Sequence, residues 1–87
     1  MYRLKFTSSA EANLARIDKP IARLIYRRLH WLADNFEFIT PIPLKGEFKE
    51  FNKFQVGDYR ALYTADPGRQ MILVHFIQHR REVYRSK

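Results

Sequence analysis

Two short segments of this 87-residue sequence concentrate side chains that could bind or cleave a phosphodiester backbone. Residues 56–60 read VGDYR around a tight turn, and residues 79–84 read HRREVY at the end of an apolar run. Arginine stays protonated and can hold two phosphate oxygens at once, while tyrosine can stack on a base. The two segments therefore indicate chemistry on a nucleic acid.

The composition supports a polyanionic partner. Sixteen Lys and Arg against 9 Asp and Glu give a formal charge of +7, which favours a nucleic acid or an acidic protein as the partner. The alternative is a basic protein whose charges only keep it soluble. We expect one domain over residues 1–87 and, because there is no cysteine, a cytoplasmic protein without disulfides. We expect no membrane association, cofactor or metal site.

Hydrophobic patterns predict a strand followed by two helices in the first half of the chain. Residues 2–6 alternate as a half-buried strand, and Ser8 with Glu11 is typical of a capping box at a helix start. A second helix begins near Pro20 and ends near Asn35, for which we predict a left-handed cap. Its predicted buried stripe is Ile21, Leu24, Ile25, Leu29 and Leu32.

The second half of the chain reads as strands. Residues 36–47 form a predicted loop, and residues 71–77 form a predicted central strand. The expected fold is α+β. It consists of an N-terminal strand, an antiparallel helical hairpin and a three-stranded antiparallel meander, forming one antiparallel sheet covered on one face by the helices.

Gly57-Asp58 predicts a two-residue hairpin, with Gly57 supplying the positive φ. In that register Val56 pairs with Tyr59, and alternate side chains point to opposite faces of the sheet. The predicted core face is Phe54, Val56, Tyr59, Ala61 and Tyr63; the opposite face is Phe51, Lys53, Gln55 and Arg60. The alternative is that Lys53 and Arg60 are ordinary solvated charges, and a one-residue slip in register would reverse the two faces.

These motifs occur in an order that resembles the RelE/ParE toxin superfamily, and most of all its RelE-type mRNA interferases. The matching segments are PLKG at 43–46, GDYRALY at 57–63 and HRREVY at 79–84, and the resemblance covers nearly the whole chain. It implies a RelE-like fold and a toxin held in a hetero-oligomer by a cognate antitoxin. It also implies a metal-independent endoribonuclease that cuts mRNA on the ribosome and inhibits translation.

The resemblance also implies roles for individual residues. The catalytic set carried over is Lys53, Arg60, Arg80 and Tyr84. The expected RNA-binding set is Phe51, Gln55, Arg81 and Arg85. Two positions depart from the family pattern: Phe51 stands where the family has its first lysine, and Gln55 stands where an arginine is common.

Such a site would use the 2′-hydroxyl of the RNA as the nucleophile. Positioning and charge neutralisation supply most of the catalysis, and arginines 60 and 80 suit the neutralising role. The general base and acid stay open among Lys53, Arg80 and Tyr84. His79 is an alternative acid or base, but alternation places it on the face opposite to Arg80.

Other interpretations stay open. The same fold hosts ParE-like inhibitors of DNA gyrase that are not enzymes, and a degenerate toxin would only bind its antitoxin. His75 is expected to be a satisfied core histidine, and His30 a surface residue. Trp31, Phe36 and Phe38 could belong to the core or to a groove that an antitoxin helix fills.

Overall fold

The structure, a computed structural model, describes residues 1–81. Its helices are α1 (Ser8–Ala15) and α2 (Lys19–Asp34), and its strands are β1 (Arg3–Phe6), β2 (Ile42–Pro43), β3 (Asn52–Val56), β4 (Tyr59–Asp66) and β5 (Met71–His79). Short 3₁₀ turns at Phe36–Phe38 and Gly46–Phe48 lie on either side of β2. Tyr84 and Arg85 lie outside the described residues. No helix among residues 1–81 is long and apolar enough to cross a membrane.

Within the described part of the chain the strands form one open sheet in the order β1-β5-β4-β3-β2. The α+β fold is confirmed, and β5 is the central strand that its apolar sequence predicts. The expectation of an antiparallel sheet was wrong at one edge, where β1 runs parallel to β5. The helices lead the chain to the opposite edge of the sheet, where β2 runs antiparallel to the direction of β1. Three successive reversals, into β3, β4 and β5, then make β5 parallel to β1. The predicted loop was wrong at β2, a two-residue strand that pairs with β3.

Helix α1 begins one residue earlier than the predicted capping box allows. Thr7 is the N-cap, and its hydroxyl oxygen accepts a hydrogen bond from the backbone N–H of Ala10 at 3.1 Å. The same hydroxyl donates to the carbonyl of His75 at 2.9 Å. Thr7 therefore both starts the helix and ties it to β5. A second tie comes from Asn13, whose Oδ1 accepts from the N–H of Ile77 at 2.9 Å.

Helix α2 buries only part of its predicted stripe. Its buried residues are Ile25, Leu29, Leu32 and Ala33. Ile21 and Leu24 are 40% and 42% exposed, so their predicted burial was wrong. Leu24 precedes the buried Ile25 and points about 100° away from it around the helix, and Ile21 lies in the first turn of α2. Asn35 ends the helix at φ −115° rather than in a left-handed conformation, and its backbone and side-chain N–H groups both donate to the carbonyl of Trp31.

The core lies between the helices and the inner face of the sheet. It joins the buried residues of α2 to strand residues that alternate along β3, β4 and β5: Val56, Ala61, Tyr63, Ile72, Val74 and Ile77. Phe36 also belongs to this core, whereas Trp31 and Phe38 are 45% and 86% exposed. Burial raises the pKa of Tyr63 to about 12, because the phenolate would lose its hydration there.

Candidate functional site

The β3–β4 hairpin positions the candidate residues, and its predicted register is confirmed. Gly57 has φ 58°, and Val56 pairs with Tyr59. The same register pairs Lys53 with Leu62 and Gln55 with Arg60. Because Val56 and Ala61 are buried on the inner face, Lys53 and Arg60 lie on the opposite face. We call this helix-free side of the sheet the outer face.

Arg60 occupies the middle of the outer face near the hairpin turn. It pairs with Gln55 on β3 and with Gln78 on β5, and it is half-buried. Its Nε atom is buried and has no hydrogen-bond partner among residues 1–81. A buried donor without a partner costs stability, so a ligand oxygen that reaches this atom would recover a hydrogen bond.

Arg80 lies beside the same turn. Its backbone N–H donates to the carbonyl of Asp58 at 2.8 Å, and its guanidinium lies 3.9 Å from the Asp58 carboxylate. Both side chains of this ion pair are more than half exposed, at 60% and 67%. Such a pair is weak and gives way to a stronger anion, so Arg80 remains available to a phosphate. We call Lys53 and Arg60 on the outer face, together with Arg80 beside the turn, the cationic end.

An open cavity of about 590 Å³ lies next to this end, lined by Asp58, His79, Arg80 and Arg81. The His79 ring packs edge-on against Tyr59 at 5.0 Å, on the inner side of the sheet. Its Nδ1 accepts a hydrogen bond from the backbone N–H of Arg81 at 3.1 Å. As expected from strand alternation, His79 does not share the outer face with Arg60.

The structure shows what Gln55 contacts, whereas it does not describe the two C-terminal residues of the expected site. The Gln55 amide donates to the carbonyl of Gly57 at 2.7 Å, so it braces the turn of its own hairpin. Tyr84 and Arg85, expected to be catalytic and RNA-binding, lie outside the described residues, and their roles stay predictions. Among residues 1–81 no group of three or more His, Cys, Asp or Glu side chains is arranged to hold a metal ion.

A β-bulge brings a residue to the outer face that the sequence pattern assigned to the core. Leu62 pairs with Phe76, but the next residue, Tyr63, pairs with Val74, so His75 is an extra residue in β5. His75 and Phe76 consequently both lie on the outer face. The prediction that His75 is a core histidine was wrong. The buried residues of β5 are Ile72, Val74 and Ile77, so their spacing changes from two to three at the bulge. Strict strand alternation does not predict this change.

Aromatic rings surround this bulge. The ring of Phe51 lies 5.0 Å from that of His75 and 6.1 Å from that of Phe76, and Phe48 lies 6.4 Å from Phe51. Nε2 of His75 is 2.9 Å from the Thr64 hydroxyl. We call Phe48, Phe51, His75 and Phe76 the aromatic cluster. Leu62 pairs with both Lys53 and Phe76, so on the outer face the aromatic cluster adjoins the cationic end.

Comparisons with known proteins match most of the sequence to one family and match the fold to solved structures. The model of the family described as the ParE toxin of the type II toxin–antitoxin system, parDE, matches residues 4–84. No curated protein matches the sequence.

Crystal structures of three bacterial toxins show the same fold. The RelBE2 toxin–antitoxin complex from Mycobacterium tuberculosis matches with a TM-score of 0.80 and 22% identity, over 90% of this chain and 96% of that chain. The isolated Escherichia coli RelE toxin matches with a TM-score of 0.73 and 16% identity, over 100% of both chains. The YoeB/ParE toxin from Agrobacterium tumefaciens matches with a TM-score of 0.68 and 21% identity, over 88% of this chain and 96% of that chain.

The family match spans most of the sequence, and the structural matches span nearly all of the fold. The open sheet and the helical hairpin on one face are thus the fold that these proteins share. The chain belongs to the ParE toxin family, within the RelE/ParE superfamily, and is a toxin of a type II toxin–antitoxin system.

Proposed function

We propose that this toxin is a metal-independent endoribonuclease that cleaves mRNA on the ribosome and so inhibits translation. One observation carries the proposal: Arg60 lies on the sheet face that the helices leave open, between Lys53 and Arg80 in the strand register, and its buried Nε has no acceptor among residues 1–81. The guanidinium fork of an arginine suits an anionic ligand such as a phosphate. The net charge of +7 favours a polyanion.

The proposed reaction needs no external nucleophile. The 2′-oxygen of one nucleotide attacks its own 3′-phosphorus and loses its proton, and the bond to the 5′-oxygen of the next nucleotide breaks. That oxygen leaves with a proton, so the products are a 2′,3′-cyclic phosphate and a 5′-hydroxyl. Arg60 and Arg80 would neutralise the charge that gathers on the phosphate oxygens. Lys53 and Tyr84 are the proposed proton carriers, together with Arg80, and their order is left open.

Two further proposals concern location and partner. Solved relatives from M. tuberculosis, E. coli and Methanococcus jannaschii are toxin–antitoxin complexes. We propose that a cognate antitoxin likewise binds this chain in a hetero-oligomer and that both act in the cytoplasm. Exposed apolar residues along α2, including Ile21 and Leu24, offer contacts for such a partner.

A second candidate function is inhibition of DNA gyrase without catalysis. The family model that matches is the ParE model, and Phe51 and Gln55 replace cations of the nuclease pattern. The ribonuclease proposal is nevertheless preferred, because Lys53, Arg60 and Arg80 of the nuclease pattern are retained.

Mapping of mRNA 5′ ends in a translating extract tests the proposal. The purified toxin should create new 5′-hydroxyl ends inside coding regions, and addition of a translation inhibitor that empties the ribosomal decoding site should abolish them. A reporter with a single 2′-deoxy nucleotide at a mapped cut should lose that cut alone, since the nucleophile is missing. Inhibition of gyrase supercoiling with no new mRNA ends would establish the second candidate instead.

A further inference from the structure

We propose that the aromatic cluster of Phe48, Phe51, His75 and Phe76 is a platform on which bases of single-stranded RNA stack. The inference rests on the proposed function for the kind of polymer that is bound. It adds a second half to the site: the cationic end holds the phosphates, and the aromatic cluster holds the bases beside them. Of the four residues of the cluster, only Phe51 belongs to the expected RNA-binding set.

The cluster lies on the face of the sheet that the helices leave uncovered. Phe48 is 42% exposed, and Phe51 and Phe76 are only half-buried. Beneath them Leu62 is 1% exposed, although it lies on the outer face and outside the helix-covered core. Aromatic rings that both bury a leucine and present accessible ring surface form a solid apolar floor rather than scattered surface residues.

The rings are held in place before any ligand arrives. The N–H of Phe51 donates to the carbonyl of Phe48 at 2.9 Å, and the carbonyl of Phe51 accepts from the N–H of Leu44 at 2.9 Å. On the other side, the Thr64 hydroxyl holds the His75 ring and the Thr7 hydroxyl holds the His75 carbonyl. A pre-organised aromatic surface binds a flat ligand with little loss of conformational entropy.

The spacing of Phe51 and Arg60 suits a strand of RNA. Phe51 and Gln55 are four residues apart along the β3 segment, which corresponds to about 13 Å of extended chain. Gln55 is the register partner of Arg60, so about this distance along the sheet separates Phe51 from Arg60, and Lys53 lies between them. A short stretch of single-stranded RNA spans it with phosphates over the cations and bases over the rings. Cations next to aromatic rings are the usual composition of single-strand binding surfaces.

A protein occupant is the competing explanation, and the charge distribution argues against it. Lys53, Arg60 and Arg80 continue the surface toward the hairpin turn, and Asp58 is the acidic side chain paired there. An apolar segment of a protein would satisfy the rings but would leave these cations without partners. Each nucleotide of RNA carries both a phosphate for the cations and a base for the aromatic rings.

Binding of a short single-stranded 2′-O-methyl RNA, which lacks the nucleophile, to the full chain tests the platform. Replacing one base at a time by an abasic residue should identify at least one position where the parent protein binds about tenfold more weakly, as for loss of one stacked base. Phe51→Leu removes a ring at similar volume, and it should weaken binding of the intact RNA by a similar factor. In the Phe51→Leu variant, the abasic replacement should cause no further loss of RNA affinity.

Three controls separate the platform from a structural role. Phe51→Tyr keeps a ring and should bind as the parent does, and Phe38→Leu removes an 86% exposed ring elsewhere and should also bind as the parent does. If Phe51→Leu does not fold, Phe48→Leu replaces it, because that ring is already 42% exposed. Equal binding of intact and abasic RNA by the parent overturns the platform. So does a loss of antitoxin binding by Phe51→Leu with RNA binding unchanged.

The outcome is independent of the test of the nuclease. Cleavage of mRNA in the extract without base-dependent binding of the short RNA overturns the platform alone. Base-dependent binding that Phe51→Leu abolishes, with no cleavage in the extract, supports the platform and contradicts the nuclease proposal.

Discussion

The two faces of the sheet are built from alternate residues of the same strands, yet they do different work. The inner face meets the helices with Val56, Ala61 and Tyr63, and its buried side chains are apolar or aromatic. The outer face carries the half-buried Lys53 and Arg60 and leaves a buried guanidinium nitrogen without a partner among residues 1–81. In this small protein, stability therefore comes mainly from one face, and the other is free to carry charge that a stable core would exclude.

The largest effect that we predict is on the inner face. Leu29 is 0% exposed in the middle of α2, and Leu29→Ala should lower the free energy of unfolding by about 2–5 kcal/mol through lost burial and a cavity. Urea denaturation followed by circular dichroism measures it. Leu24→Ala is the matched control on the same helix, since Leu24 is 42% exposed and its loss should cost under about 1 kcal/mol. Equal losses of unfolding free energy in the two variants would contradict the assignment of Leu29 to the buried side of α2 and of Leu24 to its exposed side.

A second effect, also from the inner face, depends on pH. The pKa of Tyr63 rises from 10.0 to about 12 on folding, so the folded state favours the protonated phenol. The stability from this group is complete below pH 10 and is lost as the pH rises toward 12, by about 3 kcal/mol in total. Urea titrations between these pH values measure the loss. In Tyr63→Phe the decline over this interval should be smaller by that amount, and an unchanged decline would contradict the assignment.

The smallest effect lies at the cationic end. Asp58→Asn removes the carboxylate that lies 3.9 Å from the Arg80 guanidinium. Because an exposed ion pair is worth at most about 1 kcal/mol, affinity for single-stranded RNA should rise by up to roughly fivefold, with little change in stability. The backbone hydrogen bond between these residues does not need the carboxylate. Weaker RNA binding by the variant would mean that Asp58 positions Arg80 instead of competing for it.

The sequence predicts those features of the two faces that depend on residues close together in the chain. The β3–β4 register follows from the local turn chemistry of Gly57, so Lys53 and Arg60 could be assigned to the outer face in advance. The burial of Leu29 follows from helical periodicity. Local patterns of this kind carry their own structural information.

The features that escaped prediction depend on distant contacts. The bulge at His75 exists where β5 is also tied to Thr7 and Asn13 of the α1 region, and no local pattern reports those hydrogen bonds. Strand β2 has two residues, one of them Pro43, and owes its existence to pairing with β3. Thr7 rather than Ser8 is the N-cap, and the Thr7 hydroxyl also donates a hydrogen bond to the carbonyl of His75 in β5. The sequence pattern placed Phe51 on the outer face, but its packing with His75 and Phe76 was visible only in the folded chain.

The most direct test of the division between the faces is Arg60→Ala, measured for both mRNA cleavage and unfolding. The control is Arg69→Ala, which removes an exposed arginine paired with Asp66 at the far end of β4. Arg60→Ala should slow cleavage by about 10²–10³-fold, as for loss of one charge-stabilising contact, and should not lower the free energy of unfolding. Arg69→Ala should change neither quantity. Cleavage by Arg60→Ala at the parent rate, or a loss of stability that accounts for its lower activity, would contradict the account.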